Sequence, residues 1–375
     1  MKMTDKKELR KLLLRHFERY PAMQIRDMVK LIYQNEFAGG HLITNEKDSI
    51  DRLIEEFETL SKHDHDAQGL VPFEEIANGL CRLHLKKLID SDISLETVNQ
   101  MFVSTATSVL GSIDSFEDKL TVFRQCCIDK ELPYPAEDVD AYLADYKSMG
   151  YPAVSHSEPY RQAYSPAYRI IKSEYMHYFD VFRKIDQLLS EMESVKVAVE
   201  GNSGAGKSTL ASLIRSVYDC NVFHMDDFFL RPELKTKERL KEVGGNVDYV
   251  RFKEEVLSNL LHGGAFQYRV YDCQQMNFGE HVTVTPKRLN IIEGSYSMHP
   301  TLAGYYDLKI FLEIDEKDQS SRILKRNGAF MHKRFINEWI PMENLYFSEM
   351  KIKEQCDLVY YFTTSPGQSR IPPKS

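Results

Sequence analysis

A glycine-rich run with a lysine and two hydroxyl side chains offers the clearest chemistry in this chain. It reads Gly201, Asn202, Ser203, Gly204, Ala205, Gly206, Lys207, Ser208 and Thr209. A glycine, four residues and then Gly-Lys-Ser is the complete pattern of a phosphate-binding loop (P-loop). Its backbone N–H groups curl around phosphate oxygens, its lysine reaches the β- and γ-phosphates, and its serine hydroxyl binds Mg²⁺. The run therefore predicts a binding site for a nucleoside triphosphate and Mg²⁺.

The stretches on either side of this loop supply the elements that it needs. Residues 195–199 are mostly apolar and β-branched, which is typical of a buried parallel strand. Residues 210–214 carry apolar side chains at helical spacing. Strand, loop and helix thus follow in the order that phosphate binding requires, because the helix N-terminus adds a favourable dipole. A chance glycine-rich turn is the alternative, and the flanking pattern disfavours it.

Carboxylates follow two later predicted strands. Asp226 and Asp227 come directly after the second strand, and Glu293 closes the third. Ligands of open parallel sheets bind beyond the carboxyl ends of the strands, so these groups are predicted to face the phosphates. A carboxylate there can accept the proton of an attacking hydroxyl or bind the metal. Either aspartate could instead cap the next helix, and Glu293 could be structural, although its place after an apolar strand favours metal binding.

Strands and helices alternate through the last part of the chain. The candidate strands are residues 195–200, 221–225, 290–293, 308–314 and 358–362. A short pair, 268–271 and 281–285, predicts a side hairpin. This alternation predicts an α/β domain with a mainly parallel five-stranded sheet and helices on both faces.

The first part of the chain is predicted to be all-α. Apolar stripes at helical spacing recur from residue 4 to about residue 147, and one of them joins Phe73, Ile76, Leu80 and Leu83. Glycines and prolines separate the stripes. The pattern indicates a compact helical domain.

A segment rich in proline, serine and tyrosine follows. Residues 148–166 read as a linker or a wrapping loop, and residues 167–193 as one long amphipathic helix. We therefore predict three parts. They are an all-helical domain over 1–148 that folds alone, a linker and connecting helix over 149–193, and a P-loop domain over 194–375.

Size and composition limit the classes of function. A chain of 375 residues exceeds what one hydrophobic core usually serves, so two domains are expected. The net charge of −8 disfavours a dedicated nucleic-acid binder. No apolar run reaches the length of a membrane span, and the six cysteines lack the paired spacing of a zinc site or disulfide framework. A cytoplasmic setting is predicted, and homo-oligomerisation is left open.

Residues 195–363 resemble the group of P-loop kinases that contains uridine kinases, nicotinamide riboside kinases and phosphoribulokinases. Several short motifs in the right order carry the resemblance. They are the loop at 201–209, Asp-Asp-Phe-Phe at 226–229, Asn-Val-Asp at 246–248, Val-Tyr-Asp at 270–272, Ile-Ile-Glu-Gly at 291–294, and Asp-Leu-Lys-Ile-Phe-Leu at 307–312 with a basic run at 322–326.

The resemblance implies roles for the carboxylates. Asp226 is expected to be the catalytic base and a water-mediated partner of Mg²⁺. Glu293 is expected to be the second carboxylate near the metal. Asp248 matches the position that holds ribose hydroxyls, and Tyr271 is expected in the acceptor pocket.

The same resemblance implies that Arg322 and Arg326 lie on a lid helix after the fourth strand. Lid closure would bring their guanidinium groups onto the transferring phosphoryl group. A solvated helix face is the alternative, since basic runs are common there.

The chain departs from uridine kinases after the Tyr-Asp pair. Uridine kinases carry a His and an Arg in the loop that reads the pyrimidine, whereas residues 273–278 here read Cys-Gln-Gln-Met-Asn-Phe. A site built to hydrogen-bond a base loses selectivity when those groups are missing. Uridine specificity is therefore not expected.

Together these features predict an ATP- and Mg²⁺-dependent kinase, similar to uridine kinase, whose acceptor is a small molecule such as a nucleoside or riboside. The rival is a regulatory protein in which nucleotide binding switches the helical domain and no acceptor is needed. A kinase requires Asp248 and Tyr271 to converge on Asp226, and the rival does not.

Overall fold

A computed structural model describes residues 3–39, 45–60, 71–272 and 275–362. The chain separates into two compact units, Met1–Phe179 and Asp180–Ser375. Among the described residues, no helix is both long and apolar enough to cross a membrane.

The first unit is mainly helical, as predicted. Its helices are α1 (Met3–Arg19), α2 (Ile25–Phe37), α3 (Glu46–Thr59), α4 (Leu95–Ser108), α5 (Ile113–Ile128), α6 (Ala136–Ser148), α7 (Glu158–Tyr164) and α8 (Ser173–His177). Serine side chains cap the first turns of α4 and α5, which satisfies backbone N–H groups there. Buried side chains such as Leu13, Met28, Phe116 and Phe123 form the core between α1, α2 and α5.

The first unit also contains a sheet that the sequence analysis does not predict. Strands β1 (Phe73–Glu75), β2 (Leu80–His84) and β3 (Tyr168–Lys172) pair antiparallel in the order β1-β2-β3. The helix predicted from the stripe that begins at Phe73 is wrong. Three successive residues, Ala77, Asn78 and Gly79, have φ of 61°, 55° and 69°, and this left-handed backbone reverses the chain.

The single helix predicted over 167–193 is wrong as well. Its first residues form β3, then α8, and only α9 (Phe179–Glu191) is the expected amphipathic helix. Tyr168–Lys172 extends along β2 because the ladder supplies partners for its backbone. Upstream, Val154 and Tyr160 are buried in the core of the first unit, so this stretch is part of that unit and not a free linker.

The second unit contains the predicted five-stranded sheet, and all of its strands are parallel. They are β4 (Val195–Gly201), β5 (Cys220–His224), β8 (Leu289–Glu293), β9 (Leu308–Ile314) and β10 (Leu358–Phe362), in the order β10-β9-β4-β8-β5. The predicted side hairpin is present as β6 (Phe266–Asp272) and β7 (Asn277–Val284). The fold class is therefore confirmed, and the strand that leads into the P-loop is the central one.

Helices connect these strands. They are α10 (Lys207–Arg215), α11 (Lys237–Lys241), α12 (Tyr249–Phe252), α13 (Ser258–His262), α14 (Pro300–Ala303), α15 (Glu316–Arg334) and α16 (Ile340–Glu349). A π-helical turn, Phe335–Trp339, joins α15 to α16, and Gly328 breaks α15 with φ 75° and ψ 170°. We call residues 316–349 the α15–α16 segment.

Candidate active site

The P-loop joins β4 to α10 in a conformation that requires glycine. Gly201, Gly204 and Gly206 have φ of 141°, 80° and 102°, a region that side chains disfavour. A Cβ atom at Gly201 would lie 2.1 Å from the carbonyl oxygen of Leu312 on β9. The glycines therefore allow the loop to leave the central strand beside its neighbour and to begin α10 at Lys207.

The ammonium group of Lys207 lies folded over the loop. Its Nζ donates to the carbonyl oxygens of Gly201 at 2.7 Å and Asn202 at 3.2 Å, and to Ser295 Oγ at 3.3 Å. This lysine is predicted to face phosphates, and in the structure neutral acceptors of the loop and Ser295 hold it at the entrance of the loop.

Two of the three predicted metal-binding side chains, Ser208 and Glu293, are in contact. Ser208 Oγ donates to Glu293 Oε1 at 3.0 Å. The sequence analysis missed His224, whose Nδ1 lies 2.6 Å from the same oxygen because β5 and β8 pair His224 with Glu293. This hydrogen bond raises the pKa of His224. Within the described ranges, no three His, Cys, Asp or Glu side chains are arranged to bind a metal ion by themselves.

The two aspartates after β5 have different surroundings. Asp226 opens into a cavity, and desolvation by the cleft raises its pKa, although Lys207 acts in the opposite direction. Asp227 instead accepts a hydrogen bond from Tyr268 Oη at 3.2 Å. Only Asp226 lines the cavity.

This cavity has a volume of about 800 Å³ and lies over the P-loop. Lys207, Ser208, Asp226, Glu293, Arg322 and Arg326 all line it. Four aromatic side chains, Phe229, Tyr296, Phe335 and Trp339, also line it. The cavity thus combines cations and carboxylates with apolar faces that can pack against a ring.

Both arginines expected on a lid lie on α15, where their side chains are exposed to solvent. Arg322 Nη1 donates to the carbonyl oxygen of Gly204 at 3.2 Å, and Arg326 Nε donates to Asn327 Oδ1 at 2.7 Å. Their guanidinium groups therefore reach the cavity, and neither forms an ion pair with another of the described residues.

The two predicted acceptor-binding residues do not line this cavity. Asp248 is buried and caps α12, where its Oδ1 accepts from the backbone N–H of Arg251 at 3.1 Å. Tyr271 is buried on β6, packs edge-to-face against Phe278, and donates to Met276 Sδ at 3.9 Å. Their predicted convergence on Asp226 is not seen, and their roles stay predictions.

The loop after β6 has no cation in its own sequence, but three arginines from elsewhere in the second unit lie near it. Cys273 and Gln274 lie outside the described residues. The guanidinium groups of Arg231, Arg251 and Arg269 lie 5.4, 5.0 and 4.1 Å from the centre of the Phe278 ring. These cations come from outside the loop, so a search of the loop sequence alone missed them.

Glu343 of α16 is a site residue that sequence reasoning missed. It is 5% exposed and lines the cavity. Its Oε2 accepts from the backbone N–H of Ser203 at 3.0 Å, and its Oε1 accepts from Ser203 Oγ at 2.6 Å and Ser295 Oγ at 2.8 Å. No local pattern indicates this contact, because Glu343 is far from the P-loop in sequence.

A second missed carboxylate, Glu200, lies beneath the loop. Its two oxygens accept from the backbone N–H groups of Gly201 at 2.9 Å and Met298 at 3.1 Å, and from Tyr346 Oη at 3.2 Å. Complete burial raises the pKa of Glu200 to about 7. This carboxylate connects the end of β4 to α16.

Residues 196–329 match the sequence model of the Phosphoribulokinase / Uridine kinase family. This segment, about a third of the chain, is similar to that family. The resemblance predicted from the motifs is thereby confirmed. The matched residues run from β4 through most of α15. The first unit and α16 lie outside it.

Solved structures show more distant similarity. A possible uridine kinase from Bacillus stearothermophilus is 18% identical, with 48% of this chain and 98% of that chain covered and a TM-score of 0.36. A putative fructose transport system kinase from Silicibacter sp. TM1040 is 23% identical, with 43% and 90% covered and a TM-score of 0.36. Phosphoribulokinase from Rhodobacter sphaeroides is 16% identical, with 46% and 73% covered and a TM-score of 0.33. The parallel sheet and the P-loop define the fold, and these matches carry no information about the acceptor.

Proposed function

We propose that this protein is an ATP- and Mg²⁺-dependent phosphotransferase that moves the γ-phosphate to a hydroxyl of a small molecule, such as a nucleoside or riboside. One observation carries the proposal. The carboxylate of Asp226, with its raised pKa, opens into the same cavity as Lys207 and the contacting pair Ser208 and Glu293. A base, a phosphate-binding cation and a metal-binding pair are the groups that phosphoryl transfer to an alcohol needs.

Each residue has a role in this reaction. The loop N–H groups and Lys207 hold the β- and γ-phosphates. Asp226 accepts the proton of the acceptor hydroxyl while the oxygen of that hydroxyl bonds to the γ-phosphorus. The bond from that phosphorus to the β-γ bridging oxygen breaks, and ADP leaves. Arg322 and Arg326 stabilise the charge on the transferring group.

The donors around Ser208 suit Mg²⁺. The hydroxyl of Ser208 and the carboxylate of Glu293 are hard oxygen ligands 3.0 Å apart, and Mg²⁺ usually takes one or two such groups beside phosphates and water. When bound, the ion neutralises charge on the β- and γ-phosphates.

A second candidate keeps some support. Asp248 caps a helix and Tyr271 packs under Phe278, so neither side chain lines the cavity with Asp226. A regulatory P-loop protein, in which nucleotide binding alone switches the helical unit, needs no such convergence.

Measuring ADP release from ATP separates the two candidates. The assay compares release without an acceptor and with a panel of nucleosides, other ribosides and small alcohols, and mass spectrometry identifies the product. A kinase gives faster release and a phosphorylated product with at least one acceptor. Release that no member of the panel accelerates would favour the regulatory candidate. Lys207→Ala is the control, since it removes the cation at the phosphates and both binding and turnover should fall.

The same panel tests the acceptor. We expect uridine and cytidine to be poor substrates, because Met276 and Phe278 stand where uridine kinases place a His and an Arg. Phosphorylated ribosides belong in the panel because three guanidinium groups surround Phe278. A strong preference for uridine over every other compound would contradict this expectation.

A further inference from the structure

The contact between Glu343 and the P-loop places a carboxylate on groups that bind phosphate in other P-loops. The carboxylate is almost fully buried and accepts three hydrogen bonds, two from Ser203 and one from Ser295. One of these donors is a backbone N–H of the P-loop. Such N–H groups form the anion-binding concavity that holds phosphate oxygens. Glu343 is therefore an anion already bound to the loop by its own chain.

The cation of the loop is satisfied internally as well. Lys207 Nζ donates to two loop carbonyl oxygens and to Ser295 Oγ, and Ser295 in turn donates to Glu343. Ser295 thus bridges the lysine and the carboxylate. A triphosphate needs Lys207 turned toward its oxygens, and its negative charge repels a carboxylate that stays beside the loop.

We propose that Glu343 is an internal competitor of the nucleotide, holding the P-loop when the site is empty and leaving it when phosphates bind. The proposal rests on the proposed function in one respect, that nucleotide binds at the P-loop. It adds a regulator of that site which lies outside the segment that matches the kinase family.

Release of Glu343 has a consequence for the arginines. Glu343 lies on α16, and α16 continues from α15 through the turn Phe335–Trp339. Arg322 and Arg326 lie on α15 of the same segment and line the same cavity. Displacing the carboxylate removes one contact of this segment with the P-loop, beside those of Gln319 and Arg322 with the carbonyl oxygens of Ser203 and Gly204, so we expect nucleotide binding and arginine placement to be coupled.

The size of the effect follows from the fraction of molecules in which the loop is open. An apparent dissociation constant exceeds the intrinsic one by the inverse of that fraction. If the carboxylate occupies the loop in about nine molecules of ten, its neutralisation tightens nucleotide binding about 10-fold.

Equilibrium binding of ADP with Mg²⁺, and of a non-hydrolysable ATP analogue, tests the proposal on the full chain. The variants are Glu343→Gln, which keeps the shape and removes the charge, and Glu343→Ala, which removes both. Glu349→Gln is the matched control, an exposed acid on the same helix. Calorimetry gives the affinity. Trp339, the one tryptophan of the chain, lines the cavity and reports on the segment by fluorescence.

We expect Glu343→Gln to bind both nucleotides about 10-fold more tightly than the wild type, and Glu349→Gln to match the wild type. The Trp339 emission of ligand-free Glu343→Gln should already lie near that of the nucleotide-bound wild type. Equal or weaker binding by Glu343→Gln, with an unchanged melting temperature, would overturn the proposal and make Glu343 an anchor of the loop.

The outcomes also distinguish this inference from the proposed function. Tighter binding by Glu343→Gln, with no phosphorylated product from any acceptor, supports the competitor and rejects the kinase. A phosphorylated product together with unchanged nucleotide affinity supports the kinase and rejects the competitor. Absence of nucleotide binding in the wild type and all variants rejects both.

Discussion

Asp226 and Asp227 are adjacent in the chain and lie in different chemical environments. Asp226 opens into the cavity, where desolvation raises its pKa, whereas Asp227 is hydrogen-bonded by Tyr268. A general base works best when its pKa approaches the working pH, and it must reach the proton that it removes. Desolvation raises the pKa of both carboxyl groups, so position selects Asp226, which of the two alone lines the cavity, and its neighbour is a natural control.

We expect Asp226→Asn to bind ATP as the wild type does while phosphoryl transfer falls by roughly 10²–10⁴-fold, because an amide cannot accept the proton. Asp227→Asn keeps an oxygen that can accept from Tyr268, so its rate should stay close to that of the wild type. Single-turnover transfer and calorimetric affinity measure the two effects separately. Full activity of the Asp226 variant would remove the assignment.

The sequence could predict those site residues whose chemistry is local. The P-loop is contiguous, and Glu293 ends a recognisable strand, so the contact of Glu293 with Ser208 followed from strand order. Glu343 and His224 were missed because their positions depend on long-range packing and strand register. Asp248 was predicted to hold an acceptor, but its carboxylate caps the helix that follows it. Aspartate serves both roles equally well, so the residue type alone could not separate them.

At the scale of elements, β4 and α16 are held together through Glu200. Four donors converge on its buried carboxylate, two of them backbone N–H groups and two the hydroxyls of Ser297 and Tyr346. A buried donor that loses its acceptor costs more free energy than the hydrogen bond gained. Glu200 therefore stabilises the junction between the central strand and the segment that carries Glu343.

We expect Glu200→Gln to lower the free energy of unfolding of the second unit by about 1–3 kcal/mol, because its NH₂ group would face donors. Urea unfolding followed by Trp339 fluorescence measures this. Burial raises the pKa of Glu200 in the folded state to about 7, above its unfolded value, so the stabilising contribution of protonation is present at low pH and is lost as pH rises toward 7.

Glu200→Gln should abolish the part of the pH dependence of the unfolding free energy that Glu200 contributes, whereas the exposed Glu349→Gln should leave it unchanged. Equal unfolding free energies for Glu200→Gln and the wild type at pH 5 and pH 8 would contradict the role of Glu200.

Secondary structure was predicted well where an apolar run is buried, and less well where a turn determines whether the chain forms a helix or a hairpin. The five parallel strands are apolar runs, and all of them were found. The region from Phe73 to Leu83 has helical apolar spacing by coincidence, and three left-handed residues make it a hairpin. The strand Tyr168–Lys172 depends on a partner some ninety residues earlier in the chain, which no local periodicity reveals.

At the scale of the whole molecule, the boundary between independent parts differs from the predicted one. A fragment ending at residue 148 lacks β3 and the buried side chains Val154 and Tyr160. We therefore expect residues 1–179 to fold alone and residues 1–148 to be unstable, contrary to the sequence-based expectation. Thermal melting followed by circular dichroism checks both fragments. A cooperative transition of the 1–148 fragment, with the stability of the longer one, would restore the predicted boundary.

Buried histidines make the first unit sensitive to acid. Burial lowers the pKa of His84 and of His156 to about 4. Below their unfolded value of about 6.5 the unfolded chain binds protons that the folded unit excludes, so stability falls as pH decreases from about 6.5 toward 4. The slope approaches about 1.4 kcal/mol per pH unit for each histidine.

Hydrogen exchange of the amides of β2 and β3 at pH 7 and pH 5, corrected for intrinsic rates, measures this slope in the full chain. His84→Gln should reduce the slope, because one of the three buried histidines with a lowered pKa described in the first unit, His16, His84 and His156, no longer titrates. Protection that does not change between the two pH values would show that the histidines are not protonated on unfolding.

The order of strands in the sheet also determines when each strand can find its partner during translation. Val195 of the central strand pairs with Leu289, and Val197 pairs with Leu308, so β4 has no neighbour until the ribosome has made most of the chain. At 5–20 residues per second the delay is roughly 5–20 s, during which apolar side chains that end fully buried stay uncovered. By then the three strands described in the first unit have all been synthesised. The need for chaperones during translation should therefore be greatest while residues between β4 and β9 emerge. Until then the strand that leads into the phosphate loop is unpaired on both sides.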